Sequence, residues 1–359
     1  MKLGIISMQR LINYGSFLQA YGLQHTLEEL GHEAVFMDVK LQNGGYLNLP
    51  PRRGLSFYLR NGARKVLRPR LYNLQLRREQ DFYYRYFPML GLTAAPSCPK
   101  DCDAVIVGSD EVFSYCQFTQ WGGTTQFFGE GVETDRLLSY AGSFGYTTYE
   151  DLCRIGMEHK LGTLLSRFSA LSVRDENSKK TMEQLTGKTP QVHLDPVLIY
   201  DFEHLLPSRV KHRDYILVYG YDNRLQEPEY VEQIRAFARE KGKILLGAGV
   251  FHDWCDVNLN VSPFELLAYV KNADYVVSET FHGTVFSIKY QKNFAVVVRD
   301  SNYNKLHDLL ARFGLEDRML TKERCLGEIL AHGVAAEPIR NRLEEEKSRS
   351  RQYLKEALA

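Results

Sequence analysis

The sequence carries no excess of charge of either sign, because its 45 Lys and Arg residues nearly balance its 44 Asp and Glu residues. A formal net charge of +1 gives no support for a nucleic-acid partner, whose polyanionic backbone usually requires a basic surface. No apolar run approaches the ~18 residues of a membrane-spanning helix, and a strand pattern rather than a signal peptide follows Met1. We therefore expect a cytoplasmic protein that does not bind nucleic acid.

Cysteine is sparse, and the spacing of its six residues does not fit a zinc site. Only Cys98 and Cys102 lie close in the sequence, and no second pair of ligands has suitable spacing. The pattern favours free thiols in a reducing compartment. We predict that the protein needs neither a metal ion nor a cofactor.

Three common motifs of phosphate and hydrolase chemistry are also absent. The sequence has no P-loop pattern, no G-x-G-x-x-G after a strand, and no G-x-S-x-G. The first two absences argue against a glycine loop that cradles phosphates. The third argues against an α/β-hydrolase.

The chain does contain two series of short apolar strands that alternate with amphipathic helices, the pattern of a parallel sheet. A polar stretch between about residues 201 and 214 separates the two series. Because the chain is too long for one ordinary core, we predict two domains. The predicted fold is α/β, with two Rossmann-like domains that face each other across a cleft, at residues 1–205 and 206–335, and a C-terminal helix at 336–359.

Two helix starts carry recognisable signals. Ser262, Pro263 and Glu265 predict a helix that begins with a capping box and a proline in its first turn. Ser16 precedes an apolar-periodic segment, where it could either cap the helix or contact a ligand.

A basic insertion interrupts the first series at about residues 50–87. Between Arg52 and Arg85 the sequence has ten Arg or Lys residues but only two acids, interleaved with aromatic and aliphatic residues. Such a segment could rest on an anionic membrane or hold a diphosphate-bearing acceptor. It is equally consistent with a solvated helical excursion whose charges are balanced elsewhere.

Polar side chains follow the predicted strands of both halves, at the edge where open α/β sheets bind ligands. The strand-end residues are Asn13, Ser109, Asp110, Ser143 and Arg174 in the first half, and Glu279, Thr280 and His282 in the second. We expect the ligand site of the protein in the cleft between these two rows.

Residues 274–290, DYVVSETFHGTVFSIKY, predict a strand, a polar turn and a helix. Such a turn lies at the carboxyl end of a strand and the amino end of a helix, where backbone N–H groups are available to an anion. His282 lies in this turn and is therefore a candidate for acid–base chemistry.

Six sequence blocks together resemble one known family. They are NYGSFLQAYGLQHTLEELGH, DAVIVGSDEVF, SYAGSFG, LSVRDENS, LDPVL and SETFHGTVFSI. In this order and spacing they resemble the polysaccharide pyruvyltransferase family, from Lys2 to about Leu320. The resemblance implies a glycosyltransferase-B-like (GT-B) fold. It also implies transfer of the enolpyruvyl unit of phosphoenolpyruvate to two hydroxyls of a sugar, which gives a pyruvate ketal in surface-polysaccharide (exopolysaccharide) biosynthesis.

The resemblance assigns donor-binding roles to several residues. Arg174 matches the family arginine that holds phosphoenolpyruvate, and His282 matches the histidine of the helix-start motif. Relatives often carry an arginine where this chain has Thr280, and many have a basic residue at the position of Lys305. The expected donor-binding residues are Arg174, Thr280, Phe281, Gly283 and Lys305.

The chemistry of ketal formation suggests roles for the remaining candidates. His282 is the expected acid, and Asp110 or Glu279 is the expected base unless both are structural caps. The acceptor is expected to be an activated, oligomeric or lipid-linked sugar. The expected acceptor-binding residues are Asn13, Tyr14, Gly15, Ser16, Ser109 and Ser143.

Two other functions remain open at this point. The same two-domain cleft would serve a glycosyltransferase with a nucleotide-sugar donor, and a non-catalytic glycan-assembly protein would bind glycan without turnover. If residues 52–85 touch lipid, the protein would sit peripherally at the inner face of the membrane.

Overall fold

The computed structural model describes residues 1–41, 45–46, 68–119, 121–222, 224–299, 302–321 and 324–359. The strands are β1 (Lys2–Ile6), β2 (Glu33–Phe36), β3 (Ala104–Val107), β4 (Leu137–Ser139), β5 (Ser172–Val173), β6 (Gln191–Val192), β7 (Tyr215–Tyr219), β8 (Ile244–Ala248), β9 (Val257–Leu259), β10 (Tyr275–Ser278), β11 (Phe294–Val297) and β12 (Met319–Leu320). The helices are α1 (Tyr14–Glu29), α2 (Pro69–Asp81), α3 (Phe87–Met89), α4 (Tyr149–Arg154), α5 (Glu158–Ser166), α6 (Glu176–Thr186), α7 (Pro196–Ile199), α8 (Pro228–Lys241), α9 (Pro263–Asn272), α10 (Phe281–Lys289), α11 (Tyr303–Arg312), α12 (Leu326–Ala331) and α13 (Ala336–Leu358). None of the helices in these ranges is both long enough and apolar enough to cross a membrane.

The chain divides into two compact units. Unit one contains the described residues of Met1–Leu49, Phe87–Asp201 and Arg342–Ala359. Unit two contains those of Pro50–Tyr86 and Phe202–Asn341. The main division therefore falls near residue 201, at the polar stretch of the sequence.

Unit one is built on a parallel sheet of order β2-β1-β3-β4. The register places Leu3 opposite Ala104 and Ile5 opposite Ile106, and both strands are apolar along most of their length. Such continuous apolar runs are typical of parallel strands covered on both faces. Strands β5 and β6 form a separate parallel pair. An isolated parallel bridge joins Leu138 of β4 to Ala170, which lies just before β5.

Helix α1 follows β1 and begins after residue 13 because the side chain of that residue caps it. The Oδ1 atom of Asn13 accepts hydrogen bonds from the backbone N–H groups of Gly15, at 2.8 Å, and Ser16, at 3.2 Å. Asn13 is therefore the N-cap, which excludes the first of the two roles left open for Ser16, capping this helix. Ser16 lies one turn further on, with its hydroxyl available for a different contact.

Unit two is built on a six-stranded parallel sheet of order β12-β11-β10-β7-β8-β9. Strand β10 pairs with β11 on one side and β7 on the other, so the loops after these three strands are neighbours at one edge. The predicted capping box at the start of α9 is confirmed, because Ser262 and Glu265 each accept the other's backbone N–H.

The basic insertion is only partly covered by the described residues. Residues 51–67 lie outside them, whereas α2 and a π-helical turn at Phe82–Tyr86 are described and belong to unit two. The sequence had placed this insertion in the first domain. Ion pairing explains the association with unit two: Arg78 Nη2 lies 2.7 Å from Asp222 Oδ2, and its guanidinium lies over the ring of Phe251.

Candidate functional site

The motif of unit two forms the predicted strand, turn and helix. Strand β10 ends at Ser278, and α10 begins after Thr280, whose Oγ1 accepts the backbone N–H of Gly283 at 2.9 Å. The Ser278 hydroxyl donates to the carbonyl of Tyr219 at 2.7 Å and so joins the motif to the end of β7. The turn is therefore fixed by its own side chains. Thr280 is the N-cap of the helix.

Gly283 allows α10 to start this close to the end of the strand. A Cβ atom at this position would clash with the Ser278 hydroxyl and lie 2.7 Å from the Ser278 Cβ. Real Cβ atoms essentially never approach so closely, so the packing requires a glycine here. Its role is steric, and it brings the first turn of the helix against the strand.

His282 lies in the first turn of α10 and is almost completely buried. Its ring centroid is 5.5 Å from that of Phe281 in an edge arrangement and 6.2 Å from that of Phe286. The Phe286 ring in turn packs 5.7 Å from Tyr219. The imidazole therefore packs against aromatic rings at the amino end of a helix, the end whose partial positive charge favours anions.

Glu279 connects the loops on both sides of the motif. Its side chain is fully buried, with Oε1 accepting the Tyr221 backbone N–H at 2.9 Å and Oε2 lying 2.8 Å from Arg299 Nη1. The Glu279 carbonyl accepts from the Asn302 amide at 2.9 Å. Burial raises the pKa of this carboxyl, and the nearby charges of Arg299 and Arg224 oppose the rise. Since both carboxyl oxygens are engaged, the geometry favours a positioning role for Glu279.

Cationic side chains surround the buried carboxylate. Arg299 also donates to Glu227, at 2.9 Å, so its guanidinium bridges two carboxylates. Arg224 lies 3.9 Å from Glu279 and stacks 4.8 Å from the ring of Tyr221. Lys305, in the first turn of α11, adds a further positive charge that acts on Glu279. The carboxyl edge of β7, β10 and β11 therefore carries a cluster of cations.

In unit one, Asp110 is held in an uncommon backbone conformation. Its φ angle is 81°, in the left-handed region that non-glycine residues rarely adopt. The Ser16 hydroxyl donates to Asp110 Oδ2 at 2.6 Å, and Oδ1 accepts the Glu111 N–H at 3.0 Å. Strain of this kind is often retained at functional sites, where the surroundings hold the residue in place.

Arg174 is buried in unit one, close to Asp110. Its Nη1 atom is 2.9 Å from Asp195 Oδ2, and its Nη2 atom is 3.9 Å from Asp110 Oδ1. Burial acts to lower the pKa of the guanidinium, but the combined charges of the nearby acids, with Asp195 first among them, leave it raised. The Ser109 hydroxyl also reaches Asp195, at 3.4 Å. The structure thus brings together Ser16, Ser109, Asp110 and Arg174.

The other candidates of unit one make contacts with neighbouring loops and helix ends. The Ser143 hydroxyl donates to Asp175 Oδ2 at 2.6 Å and accepts the Gly145 N–H at 3.0 Å. Asp175 also caps α6 by accepting the Ser178 N–H. Tyr14 is buried at the start of α1, next to the Asn13 cap.

Sequence reasoning missed three charged residues of these networks. Asp195 lies in the LDPVL block of the sequence, which gives no sign that this acid is the counter-ion of the buried Arg174. Arg224 and Arg299 follow the ends of β7 and β11, and their positions after apolar strands were a usable signal. Their convergence on Glu279 could not be inferred without the strand order of the sheet.

Comparison with known proteins supplies a family and a fold. A family model described as polysaccharide pyruvyl transferase matches residues 13–301. The chain is similar to the glycotransferase of kitacinnamycin, with a TM-score of 0.51 and 11% identity over 99% of this chain and 98% of that one. It is also similar to the spinosyn rhamnosyltransferase SpnG complexed with thymidine diphosphate, at 0.50 and 11% over the whole of both chains.

A third similar structure is an α,α-trehalose-phosphate synthase from Burkholderia xenovorans, at a TM-score of 0.50 and 14% identity over the whole of both chains. A search of curated protein sequences gives no match. The structural likenesses show that the chain has the GT-B fold, as predicted, and at these identities they show the fold alone.

Proposed function

Because the chain belongs to the polysaccharide pyruvyl transferase family, we propose that it transfers the enolpyruvyl unit of phosphoenolpyruvate to two hydroxyls of a sugar. The product is a pyruvate ketal made during surface-polysaccharide assembly. The acceptor in this proposal is an activated, oligomeric or lipid-linked sugar, and the enzyme works in the cytoplasm without a metal ion or a cofactor.

One structural observation supports the proposal in addition to the family match. His282 lies in the first turn of α10, at the sheet edge where Arg224, Arg299 and Lys305 concentrate positive charge. An acid beside cations suits a donor that has a phosphate, a carboxylate and a carbon to be protonated.

The proposed reaction needs one proton delivered and two removed. A proton added to the methylene carbon leaves an oxocarbenium-like centre, which the first sugar hydroxyl attacks with loss of its proton. The carbon–oxygen bond to phosphate then breaks, and the second hydroxyl attacks the same carbon and also loses its proton. One hydroxyl proton thus balances the one used at the methylene carbon, and the other leaves with phosphate. We propose that His282 supplies the proton to the methylene carbon.

In unit one we propose Asp110 as the base at an acceptor hydroxyl, since its carboxylate is fixed by Ser16 and by its own loop. The expectation that Arg174 holds phosphoenolpyruvate stays a prediction. So do the acceptor contacts of Asn13, Tyr14, Gly15, Ser109 and Ser143, and the membrane contact of residues 52–85. Among the described residues, no three His, Cys, Asp or Glu side chains converge as metal ligands would.

The test is acceptor-dependent release of phosphate from phosphoenolpyruvate, with mass analysis of a panel of sugars for the added pyruvyl group. His282→Ala should lower the turnover by about 10²–10⁴ if the histidine is a general acid. His159→Ala is the matched control, because that side chain is 98% exposed and lies in unit one. Full activity in a folded His282→Ala variant would contradict the proposed role.

Thermal unfolding in the presence of each donor, together with glycan binding, separates the other two functions. Phosphoenolpyruvate should protect the wild-type protein against thermal unfolding, whereas a nucleotide sugar should not. Protection by the nucleotide sugar alone would indicate a glycosyltransferase. Stable glycan binding without turnover of either donor would indicate an assembly protein.

A further inference from the structure

The two arginines near Glu279 differ in their hydrogen bonds to carboxylates of the protein and in their exposure to solvent. Arg299 donates to two carboxylates, through Nη1 to Glu279 and through Nη2 to Glu227, and only a quarter of its side chain is exposed. Arg224 is different, because its side chain is 49% exposed and lies 3.9 Å from Glu279, beyond hydrogen-bonding distance. Of these two arginines, Arg224 is the one placed to meet a ligand from solvent.

Contacts on the same loop hold the Arg224 guanidinium in place. The plane lies over the Tyr221 ring, 4.8 Å from the centroid, an arrangement that arginine favours. The Arg224 backbone N–H donates to the Tyr221 carbonyl at 2.8 Å, and the next residue, Leu225, is fully buried in the core of unit two. The backbone of Arg224 and the residue after it are therefore both held in place.

The strand order places this loop beside the helix-start motif. Arg224 follows β7, which pairs directly with β10, and β10 leads through Glu279 and Thr280 into α10. Thr280 is occupied as the N-cap, and an arginine there would lose the hydrogen bond to Gly283. Residues 278–283 contain no Lys or Arg, and the loop after the adjacent strand brings the Arg224 guanidinium to 3.9 Å from Glu279.

We infer that Arg224 binds the phosphate group of the donor, with Arg299 as a positioning residue that fixes Glu279. The inference rests on the proposed function for the identity of the donor. A planar guanidinium pairs with two phosphate oxygens at once, which a lysine cannot do. Arg224, Arg299 and Lys305 all act on Glu279 from this edge of the sheet, and such a concentration of positive charge favours an anion.

The experiment is calorimetric titration of folded wild-type protein, Arg224→Gln, Arg224→Lys and Arg239→Gln with phosphoenolpyruvate, inorganic phosphate and pyruvate. Arg239 is the matched control, because it is an exposed arginine of unit two paired with Glu232 in the last turn of α8. That turn leads into the start of β8 and so lies at the opposite edge of the sheet.

Arg224→Gln should weaken binding of phosphoenolpyruvate and inorganic phosphate by roughly ten- to a hundredfold, the loss of a charge-assisted contact. Arg224→Lys should lose less affinity for these two ligands, and Arg239→Gln should bind them as tightly as the wild type. The affinity for pyruvate should not change in any variant. In turnover, Arg224→Gln should raise KM for phosphoenolpyruvate more than it lowers kcat. Unchanged binding of both phosphate ligands by Arg224→Gln, or a loss confined to pyruvate, overturns the inference.

The phosphate titration keeps this result separate from the proposed function. If the wild type neither binds nor consumes phosphoenolpyruvate, the proposed function fails. Arg224-dependent binding of inorganic phosphate would then still support an anion site at this loop. If binding of inorganic phosphate does not depend on Arg224 either, the inference is also wrong.

Discussion

Arg174 and Asp195 form a buried ion pair in unit one, with 2.9 Å between Nη1 and Oδ2 and side chains only 3% and 1% exposed. Asp195 uses its other oxygen to accept the Val197 N–H and so caps the short helix α7. The pair therefore ties the end of β5 to the start of this helix.

Replacing Arg174 by Ala should destabilise the protein strongly. The change leaves Asp195 buried without its counter-ion, and breaking one side of a buried pair typically costs about 3–5 kcal/mol. The measurement is urea unfolding followed by circular dichroism. Arg174→Lys, which keeps the charge, should lose less.

The control is Arg239→Ala, which removes an exposed pair with Glu232. Exposed pairs contribute about 0–1 kcal/mol, so this variant should unfold close to the wild type. An Arg174→Ala variant as stable as the control would show that the buried pair contributes little.

Glu279→Gln should change how stability depends on pH. Burial raises the pKa of Glu279 above its ordinary value of 4.5, so the folded protein holds this proton more tightly than the unfolded chain. The contribution is fully present below pH 4.5 and is lost as the pH rises through the raised pKa. The free energy of unfolding of the wild type, relative to Glu279→Gln, should therefore fall as the pH rises from 4.5 to neutrality.

Urea midpoints of both proteins across this range give the comparison. A relative stability that instead grows with pH would mean that Arg299 and Arg224 outweigh burial. In that case the carboxylate, and not the carboxylic acid, would be the form that folding favours.

Gly283→Ala should destabilise unit two by about 1–3 kcal/mol, the usual cost of forcing extra volume into a packed site. The new Cβ would lie 2.7 Å from that of Ser278, which cannot move without disturbing the end of β10. The same change combined with Ser278→Gly should cost less than the two separate effects together, which a double-mutant cycle would measure.

Gly327→Ala is the matched control, since it also lies in a helix but has open space around its Cβ position. There the substitution should be neutral or stabilising by up to ~1 kcal/mol, because alanine is the better helix former. Equal effects at the two glycines would rule out the steric explanation.

The comparison of sequence and structure shows where local pattern suffices. Apolar runs and caps predicted β1, β10 and the start of α9, because these features depend on residues close together in the chain. The predicted turn before His282 is confirmed for the same reason. Fold class followed from the alternation of such elements.

The pairing of charges could not be predicted in the same way. Glu279 contacts Arg299, which is 20 residues away, and Tyr221, which is 58 residues away, through strands that are neighbours only in the folded sheet. Arg78 reaches Asp222 over 144 residues. These contacts depend on strand order, and sequence periodicity carries no information about it.

Asp110→Asn should lower turnover without unfolding the protein. The amide keeps the size of the carboxylate and can still accept from the Ser16 hydroxyl, but it cannot take a proton from an acceptor hydroxyl. If Asp110 is the base, kcat should fall by about 10²–10⁴, while KM for phosphoenolpyruvate stays close to the wild-type value. Acceptor-dependent phosphate release gives both constants.

Asp110→Gly separates strain from chemistry at the same position. Glycine adopts a φ of 81° without the penalty that a side chain incurs there, so relief of strain should offset much of the lost hydrogen bonding. This variant should be nearly as stable as the wild type and as inactive as Asp110→Asn. If both variants keep full activity, Asp110 is held in this conformation for a structural reason, and the base must be sought elsewhere. Because the glycine variant removes the carboxylate and the strain together, we expect it to lose activity while it keeps its stability.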